Sequence, residues 1–180
     1  ENDYQSVALS MDGSLENNTK MLTLLGSFST SFDKLSPTNP NNIPLREAAN
    51  GETKNSYSIY SGFNRILDKN STFQLGASFT LLEGYLSDPY RIADKRPERR
   101  SQTTLSSQYR RYSTGLAAAW HFDYRYYQDD WDVQAHTFET SLWKDINFQY
   151  FTITLSPNVR YYWQHQARFY SLDGLQTQPA

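Results

Sequence analysis

Thr72-Phe73-Gln74-Leu75-Gly76-Ala77-Ser78-Phe79-Thr80-Leu81 is the stretch that decides the fold. Phe73, Leu75, Ala77, Phe79 and Leu81 hold one phase of a two-residue period, and Thr72, Gln74, Gly76, Ser78 and Thr80 hold the other. Successive side chains of a β-strand point to opposite faces, so this segment predicts a strand with one apolar and one polar face. The pattern recurs on both sides of it. Val7, Leu9 and Met11 alternate over 4–11, before a turn expected at Asp12-Gly13-Ser14. Leu22, Leu24, Phe28 and Phe32 alternate over 21–32, and Tyr57, Ile59, Phe63 and Leu67 over 57–67. Downstream, strands are expected near 101–112, 116–127, 133–143 and 148–166.

The connections differ in size. Turns are expected at 68–70, 113–115 and 144–147, and long loops at 33–53 and 86–100, rich in Pro, Asn and charge. The link at 128–132 is short although it lies on the long-loop side. Eight antiparallel strands in up-and-down order follow, with a short end and a long end.

Composition sets the bounds. A chain of 180 residues predicts one domain over 1–180. Lys and Arg number 17 against 19 Asp and Glu, so net charge gives no reason to expect nucleic acid as a partner. The absence of Cys excludes a disulfide scaffold, a thiolate zinc site and a Cys nucleophile. Mean hydropathy is −0.74 and no apolar run nears 18 residues, which excludes a transmembrane helix but not a transmembrane barrel. The start, Glu1-Asn2-Asp3-Tyr4, carries no leader, so an exported protein would have it removed or outside this sequence.

Alternation alone also suits a secreted β-sandwich or a lipocalin-like binding protein. Three features favour lipid. The strands run about 10–14 residues, near the length that crosses hydrocarbon at a tilt. Their apolar faces end in rings, Tyr124 and Tyr126 on one strand and Tyr161 and Trp163 on another, as an interfacial girdle requires. The opposite faces carry Ser, Thr, Gln, Asn, Arg, Asp and His. The fold class expected is therefore all-β, an antiparallel up-and-down transmembrane β-barrel with eight strands in this chain. The tail Leu172-Asp173-Gly174-Leu175 looks like a loop entering a further strand, so this chain is expected to be part of a larger barrel of about 16 strands. A complete eight-stranded barrel is the rival, its interior filled by side chains.

Polar-phase charge concentrates in the last three strands, at His121, Asp123, Arg125, Glu139 and Arg160. Hairpin pairing about Asp129-Asp130 sets Glu139 opposite His121 or Asp123. These residues are candidates for a lumen-lining polar network, and an ion-pair network holding the wall is the plainer reading. Arg91, Lys95, Arg96, Arg99 and Arg100 form a basic loop. Its arginines Arg91, Arg96, Arg99 and Arg100 are candidate surface-loop contacts for lipopolysaccharide phosphates or an anionic partner, and Asp129 and Asp130 are candidate surface-loop contacts beside them, against the plainer reading of a solvated loop. His121, His136 and His165 stand 15 and 29 residues apart and match no compact metal motif. Asp129-Asp130-Trp131-Asp132 lacks the spacing and glycine of a calcium loop. No phosphate cradle or nucleophile motif is present, so no catalysis, cofactor or metal is expected.

Five spaced motifs carry a family resemblance. They are Asp88-Pro89-Tyr90; Arg96-Pro97-Glu98-Arg99-Arg100; Asp123-Tyr124-Arg125-Tyr126-Tyr127 with Asp129-Asp130-Trp131; His136-Thr137; and Arg160-Tyr161-Tyr162-Trp163-Gln164 with Ala167 and Phe169-Tyr170. In this order, over roughly 80–170, they resemble the domain-of-unknown-function 3570 family of Gram-negative bacteria, while 1–80 is similar only in style. A Gly usually follows the Trp in that family; here Asp132 stands there. The resemblance implies an integral outer-membrane β-barrel, longer than this chain, with no established catalysis. It also implies a gene neighbourhood with a small lipoprotein and a flavin-attaching transferase. The expected role is a porin-like pore or transport conduit, or the scaffold of a cell-envelope complex. Its expected partners are outer-membrane lipid, lipopolysaccharide and a small lipoprotein or other envelope protein. The alternative is a plugged barrel whose long loops bind a partner protein or lipopolysaccharide.

Overall fold

A computed structural model describes residues 3–39, 43–91 and 94–169. They form one antiparallel sheet in chain order: β1 (Tyr4–Glu16), β2 (Leu22–Leu35), β3 (Thr53–Asp68), β4 (Ser71–Gly84), β5 (Arg99–Ser113), β6 (Ala118–Asp129), β7 (Gln134–Asn147), β8 (Thr152–Leu155) and β9 (Asn158–Gln164). One short helix, α1 (Pro44–Ala49), interrupts the β2–β3 connection, with Pro44 in its first turn. The all-β up-and-down expectation holds. Among the described residues the sheet is not closed, because β1 pairs only with β2 and β8 and β9 pair only with β7.

The two phases of alternation become two faces. On the apolar face Met11, Phe28, Ile59 and Phe79 lie in one row across β1 to β4, by direct register. Phe122, Phe138 and Val159 extend that face across β6, β7 and β9. Nothing among the described residues packs over it: Met11 is 78% exposed, Ile59 57% and Phe138 50%. No large side chain among the described residues is fully buried. The described residues form one layer rather than the two of a sandwich.

Several boundaries differ from expectation, each for a physical reason. Asp12-Gly13-Ser14 stays within β1, where Asp12 faces Ser27 and Gly13 faces Gly26. The turn comes later, at residues 17–21. There the Asn17 Oδ1 accepts the Met21 and Leu22 N–H groups and Lys20 takes φ 56. Lys144-Asp145-Ile146-Asn147 is strand, not turn, because Thr154 and Thr152 across the ladder donate to Asp145 and Asn147 at 2.7 and 2.8 Å. That hairpin instead turns at 148–151, where the Phe148 and Phe151 rings stack at 4.7 Å. β6 begins at Ala118 rather than Leu116, since Ala117 takes φ 47, a left-handed turn conformation. The loop expected over 33–53 is narrowed by β2 running to Leu35, by α1, and by β3 starting at Thr53.

The eighth strand starts at Thr152 and is broken at Ser156-Pro157. β8 and β9 nevertheless meet β7 in the same register, Lys144 facing Leu155 and Ser141 facing Asn158. Pro157 still accepts the Leu142 N–H at 3.1 Å, but it has no N–H to return. One missing donor accounts for the break. Tyr170 and the tail from Leu172, expected to enter a further strand, lie outside the described residues.

Candidate functional site

The polar face of β5, β6, β7 and β9 is a grid fixed by register. One row runs Gln108, Asp123, Glu139, Arg160, and the row beside it runs Ser106, Arg125, Thr137, Tyr162. A third runs Arg110, His121, Ser141, Asn158. All five candidates of the lumen-lining network therefore share one face. Glu139 stands opposite Asp123; His121 faces Ser141 instead.

Two carboxylates directly opposite each other repel unless cations bracket them. Arg110 Nη2 donates to Asp123 Oδ1 at 2.7 Å, and Arg160 Nε lies 4.0 Å from Glu139 Oε2. Asn158 Nδ2 donates to Glu139 Oε1 at 2.6 Å. The acids are thus held from both outer strands. Arg110, the partner of Asp123, was not singled out in the sequence. Its signal was its place in the polar phase of the fifth strand, two residues beyond Gln108, which pairs with Asp123. Arg125 has no ion pair or hydrogen bond among the described residues. The His121 ring stacks on Trp143 at 5.8 Å. The His136 and His165 rings lie instead against Trp163, with ring centroids at 5.5 and 4.4 Å.

The long end shows why several surface-loop candidates are not free contacts. Arg99 and Arg100 belong to β5, not to the loop. Arg100 donates through Nε and Nη2 to Asp129 Oδ2 at 2.9 and 2.6 Å. The same oxygen accepts from the Tyr127 hydroxyl at 2.8 Å, while Oδ1 accepts the Trp131 and Val133 N–H groups, both at 3.0 Å. The Asp129 side chain is 0% exposed, so this carboxylate is a structural hub and cannot meet a surface ligand. Arg100 also lies over the Trp131 ring, and the Trp131 indole donates to the Arg99 carbonyl at 3.0 Å. Arg96 reaches Asp94 at 3.0 Å, Arg91 reaches Asp88 at 3.4 Å and Arg99 reaches Glu83 at 3.8 Å. Arg91, Arg96, Arg99 and Arg100 thus each have a carboxylate beside them, Arg91 and Arg99 while largely exposed, and Asp130 alone of the acidic pair is exposed.

Asp88 and Tyr90 have local roles. Asp88 Oδ1 accepts the Tyr90 N–H at 2.9 Å, and the Tyr90 hydroxyl donates to Asp3 Oδ2 at 2.8 Å. The Thr38 hydroxyl also donates to Asp3. These hydrogen bonds, Thr38 first, hold the Asp3 carboxyl below the usual range, and Asp3 in turn raises the Tyr90 phenol. Burial, with Asp94 and Asp88 nearby, raises the Tyr85 phenol.

A family model described as "Protein of unknown function (DUF3570)" matches residues 1–176, so the match takes in all of the first eighty residues, which were similar only in style by sequence. The chain belongs to this family. No curated protein matches it, and no solved structure does.

Proposed function

Starting from this membership, we propose that the chain forms wall of an outer-membrane β-barrel in a Gram-negative bacterium, with its polar face lining a conduit for small solutes. One observation carries the reading: a single-layer sheet of long strands presents one continuous apolar face that no other described residue covers. In water that surface would be unfavourable by roughly 25 cal/mol for each Å² left exposed. Against acyl chains it carries no such penalty. A 14-residue strand such as β2 spans about 34 Å of membrane normal at a 45° tilt, enough for the hydrocarbon layer. Near the long end, Tyr124, Tyr126, His136 and Trp163 cluster on the apolar face, with the Tyr124 hydroxyl 2.9 Å from His136 Nδ1. Rings with polar tips suit the water–lipid boundary.

The same reading needs both sheet edges paired, because an unmet peptide group in hydrocarbon costs several kcal/mol. Further strands would supply that pairing and complete a larger barrel. A scaffold role in an envelope complex is a second reading. It is favoured by the long-end rim, where Asp3, Thr38 and Tyr90 tie two connections together.

The test is membrane fractionation and planar-bilayer recording of the full-length protein. We expect it in the outer-membrane fraction, extracted only by detergent, with stepwise conductance after reconstitution. Recovery as a soluble protein without detergent would overturn the membrane reading. A membrane-inserted but electrically silent protein would leave the scaffold reading in place of the conduit.

A further inference from the structure

We infer that the polar-face hollow around Arg125 takes small anionic solutes bearing a carboxylate or phosphoryl group. This rests on the conduit reading for its setting and names the solute class of that same face. Two adjoining hollows, of about 340 and 360 Å³, both have Arg125 and Thr137 in their walls. That size suits a small organic ion.

The charge balance decides the sign. The first hollow is lined by three guanidinium groups, Arg110, Arg125 and Arg160, and by two carboxylates, Asp123 and Glu139, which leaves one positive charge. Both carboxylates are already engaged, Asp123 by Arg110 at 2.7 Å and Glu139 by Asn158 at 2.6 Å. A cation would have to displace those partners. Arg125 has no partner among the described residues, so an anion displaces no protein group. The acids on the polar face of β1, Asp12 and Glu16, lie five strands away across the sheet. A guanidinium presents a planar fork that matches the oxygen pair of a carboxylate or phosphate, and the Thr137 hydroxyl is its in-register neighbour.

The experiment uses the full-length protein in detergent and in planar bilayers, as wild type, Arg125→Gln and Arg125→Lys. Calorimetric titration with inorganic phosphate and with succinate measures binding, and the tighter of the two identifies the favoured group. Reversal potential in a KCl gradient measures selectivity. We expect wild-type binding to weaken about tenfold or more in Arg125→Gln and to persist partly in Arg125→Lys. We also expect anion preference to fall in Arg125→Gln. Unchanged binding in Arg125→Gln, or no binding of either anion to wild type, overturns the inference. Conductance without anion preference overturns it while leaving the conduit standing. Absence of conductance removes the conduit reading, and the titration then decides the inference by itself.

Discussion

Arg100 of β5 and Asp129 of β6 meet across the long end of the sheet, two guanidinium nitrogens converging on one carboxylate oxygen at 2.9 and 2.6 Å. The other oxygen of Asp129 caps the backbone of the Trp131 hairpin. The pair therefore fastens a strand, its neighbour and their connection at a single point.

Removing one partner of an enclosed pair strands the other charge. Asp129→Asn should destabilise the folded protein by about 3 kcal/mol, and Tyr127→Phe by about 1 kcal/mol. Urea unfolding of the full-length protein in lipid vesicles reads both values. Equal, negligible effects would show that the hub does not hold the hairpin.

The two faces should respond oppositely to charge. Phe79→Arg, on the apolar face, should cost about 2–4 kcal/mol of folding in vesicles, whereas Ser78→Arg on the polar face should cost under about 1 kcal/mol. The reverse order would mean that the polar face meets lipid.

Tyr60 lies flat over Gly62 and Gly76, two in-register residues of β3 and β4. A Cβ at Gly76 would strike the Tyr60 ring, and one at Gly62 would stand 2.7 Å from the Leu75 carbonyl. Gly76→Ala should cost about 1–3 kcal/mol, and Tyr60→Ala in the same chain should recover part of it. Additive losses in a double-mutant cycle would rule out the contact as the cause. A Cβ at Gly62 meets the Tyr60 hydroxyl at 2.6 Å as well as the Leu75 carbonyl, so Tyr60→Ala should recover less of the Gly62→Ala loss than of the Gly76→Ala loss.

Asp132 has φ 66, in the left-handed region that glycine enters without a Cβ penalty. Asp132→Gly should raise stability by a few tenths to about 1 kcal/mol, measured as a shift in the urea midpoint. A loss of stability would show that the Asp132 side chain contributes more than its backbone strain costs.

The Asp3–Thr38–Tyr90 tie should have two pH edges. Asp3 has a lowered pKa, so its contribution is complete above its ordinary 3.8 and fades as pH falls through the lower folded value. Tyr90 has a raised pKa, so its contribution is complete below its ordinary 10.0 and fades as pH rises through the higher folded value. Limited proteolysis of the 85–98 connection should show protection across the intervening range and cleavage beyond either edge. Tyr90→Phe should remove the alkaline edge, and its persistence would point to another group.

Phase along a strand is a local property, and the alternation at Phe73–Leu81 already separates two faces without reference to any partner. The chain alone therefore determined the strand class, the up-and-down order, the polar phase shared by His121, Asp123, Arg125, Glu139 and Arg160, and the family resemblance. Register and strand ends depend on what stands across the ladder. Thr154 opposite Asp145 keeps a turn-like segment extended, and Asn17 rather than Gly13 closes the first hairpin. Only the tertiary structure joined Arg100 to Asp129, 29 residues apart, and set carboxylates beside Arg91, Arg96 and Arg99. It also left the Arg125 guanidinium without a hydrogen-bond or ion-pair partner among the described residues, because ion pairing is settled by distances across strands that no single strand encodes.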